Sequence, residues 1–214
     1  MMVAALFVRK DSVYKSMTGV DAWDAERDAR NWPGGDSVVA HPPCAQWAGL
    51  SHMAKVNPQE KRLALIAIDM VRDWGGVLEH PVKSKLWAYL PAPGEPMDQY
   101  GGWSMVVSQK WWGHMAEKLT LLYVVGITPD RVPPVPLTLG AAEFTCGISG
   151  RRKDGTRKPG KEMPKSQRDY TPPAFAAWLV ELAHRCSTRF QPGFHIADTR
   201  SQPGNSQSAK AGVE

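Results

Sequence analysis

Val38-Val39-Ala40-His41-Pro42-Pro43-Cys44-Ala45-Gln46-Trp47 is the stretch on which the reading of this chain turns. Two β-branched residues and an alanine run straight into His-Pro-Pro-Cys. A short apolar run that stops at prolines predicts a buried strand leaving a sheet. Proline fixes its own φ and restricts the residue before it, so His41 and Pro42 are held extended. Cys44 then sits on a stiff loop beyond a strand's carboxyl end, where open α/β sheets bind their ligands. Taken alone, a cysteine here reads as a small apolar side chain in a turn. Its neighbours change that reading.

Upstream, the apolar run Met2 to Val8 predicts a first, central strand, and Arg9 to Met17 a turn and a short helix. Val20 to Trp23 predicts a second strand, closed by Asp24. Ser37 to Ala40 is the third. Downstream, Pro58 and Gln59 open a long helical pattern. Leu63, Ile66, Ala67, Met70, Val71 and Trp74 recur in it at spacings of three and four as one apolar face, and Gly75-Gly76 stops it. Val77-Leu78-Glu79-His80-Pro81 predicts a very short strand. Lys83 to Tyr89 reads as a helix, Met105 to Ser108 as an edge strand and Leu119 to Val125 as a strong apolar strand. Thr171-Pro172-Pro173 caps and opens a last amphipathic helix, with Phe175, Trp178, Leu179 and Leu182 on one side. Strands alternating with helices predict an α/β domain with a mostly parallel sheet and helices on both faces. We expect that domain over residues 1–190, with a basic loop at about 150–169. A disordered tail is expected over 191–214, where Ser, Gln, Gly and Lys dominate.

The chain has 214 residues and a formal net charge of +5. Between Gly150 and Asp169, eight basic residues (Arg151, Arg152, Lys153, Arg157, Lys158, Lys161, Lys165, Arg168) face three acidic ones (Asp154, Glu162, Asp169). That loop alone carries a net charge equal to the whole chain's. A basic segment on a near-neutral body points to a polyanion such as DNA, with Arg151, Arg152, Lys153, Arg157 and Lys158 as phosphate contacts; the plain alternative is a solvated loop. No stretch approaches eighteen apolar residues, so no membrane-spanning helix is expected, and Met1 to Val8 lacks the basic leader and cleavage site of a signal peptide. Cys44, Cys146 and Cys186 lie far apart without metal spacing. No metal site is expected, and a reducing cytoplasm fits.

Cys44 and Glu79 lie just beyond or at the ends of two predicted strands. Facing each other across a crevice, they make a recognisable pair. A thiolate attacks an electron-poor carbon, and a carboxylic acid opposite it protonates a ring nitrogen as the carbon is attacked. That suits addition to C6 of a pyrimidine, whose N3 needs a proton at the same moment. The plain alternative is a buried thiol and an unrelated surface acid.

These residues resemble a known family. Pro42-Pro43-Cys44, followed by Glu79-His80-Pro81 after an apolar strand, is similar to the Pro-Cys and Glu-Asn motifs of the cytosine-C5 DNA methyltransferases. Leu121 to Gly126 is similar to that family's later strand, and Tyr170 to Ala176 to its last motif, Asn-x-Val-Pro-Pro at a helix start. All four stand in family order. With Gly113-His114 upstream of the late strand, the pattern looks most like short phage-type members. The resemblance implies a Rossmann-like methyltransferase-type domain in the (host) cytoplasm. It implies Cys44 as the nucleophile on a flipped cytosine and Glu79 holding or protonating N3. His41, Pro42, Pro43, His80, His114 and Lys118 fall on the substrate side. It also implies S-adenosylmethionine as cofactor, against Leu6, Phe7, Asp24, Thr171 and Pro172. His80 stands where the family has asparagine. Arg9-Lys10-Asp11-Ser12 follows the first strand where the family has a glycine turn, which predicts weak or atypical cofactor binding near Leu6, Arg9 and Asp24. Two rivals follow from these departures. One is the same Cys/Glu chemistry on a free nucleotide or with another one-carbon donor. The other is a catalytically inactive DNA-binding relative.

Overall fold

The apolar runs form strands where the pattern predicts them: β1 (Val3–Leu6), β2 (Val20–Trp23), β3 (Ser37–Ala40), β4 (Gly76–Pro81), β5 (Trp103–Ser108) and β6 (Leu119–Val125). The computed structural model describes residues 2–48, 57–146, 155–156 and 161–186. Arg151, Arg152, Lys153, Arg157 and Lys158 of the basic loop, and the tail over 191–214, lie outside the described residues. The six strands make one sheet in the order β2-β1-β3-β4-β6-β5. β2, β1, β3 and β4 pair in parallel. β6 runs antiparallel between β4 and the edge strand β5, so five of the six strands point one way. A two-stranded sheet, β7 (Phe144–Thr145) with β8 (Lys161–Glu162), stands apart from it.

Alternation along each strand sends its side chains to opposite faces, and one long helix covers each face. Val3, Ala5, Val39, Val77, Leu122 and Val124 pack with Phe175, Leu179 and Leu182 of the last helix, Pro173–Arg185. Ala4, Leu6, Val38, Ala40, Leu78, Tyr123 and Val125 pack with Ala64, Ala67, Ile68 and Val71 of Pro58–Trp74. These helices are α3 and α1; α2 is the short turn Lys165–Arg168. The α/β class with helices on both faces is therefore what the chain builds.

Local details differ from expectation. The face of α1 that meets the sheet is centred on Ala64, Ala67, Ile68 and Val71, while Leu63, Ile66, Met70 and Trp74 are only half-buried. Small alanines let the helix axis approach the sheet, and the larger side chains flank the contact. Thr171 does not cap α3: Pro172 holds the cap position without a side-chain hydrogen bond. Lys85–Tyr89 and Val13–Ser16 are single 3₁₀ turns. Gly76 is required where it is. With φ at 124°, a Cβ there would lie 2.0 Å from the Val38 carbonyl oxygen across the β3–β4 pairing.

On β4, Glu79 and His80 are neighbours and so face opposite ways. His80 goes to the α1 side, fully buried and edge-on to Trp87. Its ring nitrogens make no well-formed hydrogen bond among the described residues. Burial pushes its pKa down to about 4, although the Glu79 charge and the Pro43 carbonyl favour the charged form. Below pH about 6.5 the unfolded chain takes up a proton that folded His80 refuses, so stability falls as the pH drops from there to about 4. The difference corresponds to about 3 kcal/mol. His80→Asn removes the titration. Denaturant unfolding at pH 7 and pH 4.5 is expected to show a clearly smaller loss of stability in the variant than in the wild type. An equal loss in both would contradict the assignment.

Candidate active site

β3 and β4 are parallel neighbours, so the chain leaves both at the same edge of the sheet. The loop after β3 carries His41, Pro42, Pro43 and Cys44, and the end of β4 carries Glu79. All five line one cavity of about 690 Å³. Lys118 ahead of β6, and Asp169, Tyr170, Thr171 and Pro173 at the entry to α3, add to its wall. So do Phe7 and Arg9 after β1, and Asp24 and Asp28 after β2. Residues scattered from Phe7 to Thr171 in the sequence thus meet in one place.

Four sequence-predicted residues lie elsewhere. Leu6 is core beneath α1. Pro172 is buried at the helix start. His80 faces away from Glu79, because adjacent strand residues cannot share a face. His114 lines a separate cavity of about 230 Å³ with Met115, Met163 and Gln167; Tyr170 borders both cavities.

Glu79 is held by donors from three elements. His41 Nδ1 lies 3.0 Å from Oε2. Gln109 Nε2 donates to Oε1 at 3.1 Å, and the Thr120 hydroxyl also meets Oε1. Burial pushes the carboxyl up, but hydrogen bonds from His41 and Thr120 and the nearby Lys118 charge more than offset it and hold it below the ordinary carboxylate value. Glu79 therefore rests ionised. Of the two roles the resemblance implies, it suits holding N3–H rather than delivering the proton from a resting acid.

Cys44 opens the 3₁₀ turn Ala45–Trp47 and is part-buried. Burial pushes its thiol up, the charges of Asp169 and Glu79 push the same way, and Lys118 opposes them. The group rests as a thiol. His41, three residues before Cys44, has both ring nitrogens engaged elsewhere: Nδ1 by Glu79 and Nε2 by the Tyr14 hydroxyl at 2.9 Å.

The other end of the cavity tests the implied cofactor. Asp24 closes β2 as predicted, but both its oxygens are occupied. Oδ1 accepts the backbone N–H groups of Glu26 and Arg27, and Oδ2 is 2.5 Å from Lys15 Nζ. The Lys15 hydrogen bond and these amides hold its pKa at about 2. Phe7 has φ 58° and Asp28 φ 54°, the non-glycine residues in the left-handed region among the described residues. Side chains thus occupy the turn that glycines would open, and strain of this kind gathers at ligand clamps. These residues do not fit S-adenosylmethionine bound through a glycine turn and a free ribose acceptor.

Tyr14, Gln109 and Asp169 are site residues that sequence reasoning missed. Gln109 had a signal: it follows the edge strand directly, next to the start of β6, with Ser108 paired to Leu119. Tyr14 had none. Among the described residues, no group of three or more His, Cys, Asp or Glu side chains is placed to hold a metal ion, and no helix is long and apolar enough to cross a membrane. No protein-family model matches the chain, and neither a curated protein nor a solved structure does.

Thiol alkylation follows the thiolate fraction. Asp169→Asn removes a charge that raises the Cys44 pKa, so at pH 8 iodoacetamide should modify Cys44 several-fold faster than in the wild type, and Lys118→Met should slow it. Peptide mass spectrometry separates Cys44 from the exposed Cys146. Rates that ignore both changes would contradict the electrostatic account.

Proposed function

We propose that this chain modifies C5 of a pyrimidine base, cytosine in DNA, through a covalent bond between Cys44 and C6. The observation that carries the proposal is the convergence, in one cavity, of a thiol and an ionised, hydrogen-bonded carboxylate from two adjacent parallel strand ends. Cys44 Sγ bonds to C6 as its proton leaves. N3 takes up a proton, and Glu79 holds the new N3–H. Electron density gathered at C5 then attacks the one-carbon group of a donor, and the bond from that carbon to its carrier breaks, the carrier leaving with the electron pair. The C5 proton passes to solvent, and N3 gives up its proton as Sγ departs and is reprotonated, which restores the aromatic ring and the free thiol. The thiol proton lost and the N3 proton gained balance, so no external acid is consumed.

Two features support DNA as the partner. The cavity's size admits a base extruded from its stack. The basic segment leads directly into Asp169, Tyr170 and Thr171 of the cavity wall, which suits phosphate contacts at the mouth. A second reading keeps the Cys44/Glu79 chemistry but takes another one-carbon donor; Asp24, held by its own chain through Lys15 and two amides, favours it.

DNA carrying 5-fluorocytosine tests the proposal, because fluorine cannot leave C5 as a proton does. Trapping needs a donor, so S-adenosylmethionine and cell extract are supplied in separate arms. A denaturation-stable adduct mapped to Cys44 is expected. Cys44→Ser should abolish it, and Glu79→Gln should slow it by roughly 10²-fold or more. An adduct of full strength in Cys44→Ser, or none with either donor, would contradict the proposal.

A further inference from the structure

We infer that Tyr14 is a positioning residue of this site: its hydroxyl donates to His41 Nε2 and fixes the Nδ1–H tautomer, so that Glu79 offers a pyrimidine a single free acceptor. The consequence for substrate rests on the pyrimidine reading; the hydrogen-bond geometry does not.

Tyr14 lies in the 3₁₀ turn after β1, essentially buried and packed in the core beneath α3. Its ring centroid is 5.3 Å from that of His41, and its Oη is 2.9 Å from Nε2. Burial, with the Glu79 charge, pushes the phenol well above its ordinary value, so it keeps its hydrogen. A buried hydroxyl hydrogen without an acceptor costs about 1–3 kcal/mol. Among the described residues His41 Nε2 is the acceptor this hydrogen meets. Nε2 must then carry no proton, and the ring proton sits on Nδ1, donating to Glu79 Oε2.

The charged and titratable groups around this pair come from several elements. Glu79 of β4 faces the Nδ1 side of His41. Lys118 ahead of β6 lines the same cavity. Cys44 and Asp169 share the cavity, while His80 lies on the other face of β4. Tyr14 directs its hydrogen at Nε2, which leaves Nδ1 as the nitrogen that donates to Glu79.

A carboxylate has about four acceptor positions. Gln109 and Thr120 occupy Oε1, and His41 takes one position on Oε2. One position on Oε2 remains for the cavity, enough for the single N3–H that forms as Sγ adds.

Nitrogen-15 spectra of the histidine rings in the purified protein at neutral pH test this, with His41→Asn providing the assignment. In the wild type His41 should show a protonated Nδ1 and a bare Nε2. In Tyr14→Phe that signature should be lost, and adduct formation on 5-fluorocytosine DNA should be about tenfold slower, the worth of one transition-state hydrogen bond. A doubly protonated ring or an Nε2–H tautomer in the wild type would overturn the inference, as would an unchanged spectrum in Tyr14→Phe. If Tyr14→Phe fails to fold, the wild-type tautomer still decides. The expected tautomer in a wild type that forms no adduct would uphold Tyr14's role and reject the pyrimidine reading.

Discussion

A carboxylate that stays ionised while almost wholly buried is the constraint around which the rest is arranged. Left without donors, such a charge is too costly to keep. Glu79 is kept charged by His41 from the loop after β3, Gln109 from the end of β5, Thr120 from β6 and the nearby cation of Lys118. Each donor requires a particular piece of the sheet. β3 must run parallel beside β4, and β6 must return antiparallel on the other side, so that both neighbours bring polar groups to one strand end. The order β3-β4-β6-β5 does this.

The same arrangement explains why Cys44 rests as a thiol. The charge that readies Glu79 as an acceptor also raises the Cys44 thiol, and Asp169 adds to it. A thiol that ionises only as its proton is needed elsewhere is protected from chance oxidation and alkylation. Lys118 works on both groups in the opposite direction, lowering the carboxyl and the thiol together.

Much of the fold was legible in the sequence because apolar runs and Gly/Pro stops are local signals. β3 and β6 match their expected bounds, and the Pro-Pro-Cys loop and Glu79 meet in one cavity as expected. What was not legible depends on facing and packing. His80 was paired with Glu79 by proximity in sequence, although period-two alternation already sets them on opposite faces. The contact side of α1 was read in part, through Ala67 and Val71; its shift toward Ala64 and Ile68 was missed because alanines carry little hydrophobic signal yet permit the closest approach. Tyr14 and His41 lie 27 positions apart; only folding of the turn after β1 against the loop after β3 brings them together. The cavity wall at Asp24 departs furthest from the resemblance: Asp24 stands where expected but is already bound by its own chain.

The central claim, addition of Cys44 to C6 with Glu79 at N3, is tested most directly without any donor. Transient addition activates C5, so cytosine in DNA incubated with the protein in heavy water should exchange its C5 hydrogen for deuterium, read by nucleoside mass spectrometry. The account predicts exchange with the wild type, none with Cys44→Ser and strongly reduced exchange with Glu79→Gln. Exchange that persists in Cys44→Ser, or its absence with wild-type protein on both single- and double-stranded DNA, would contradict it.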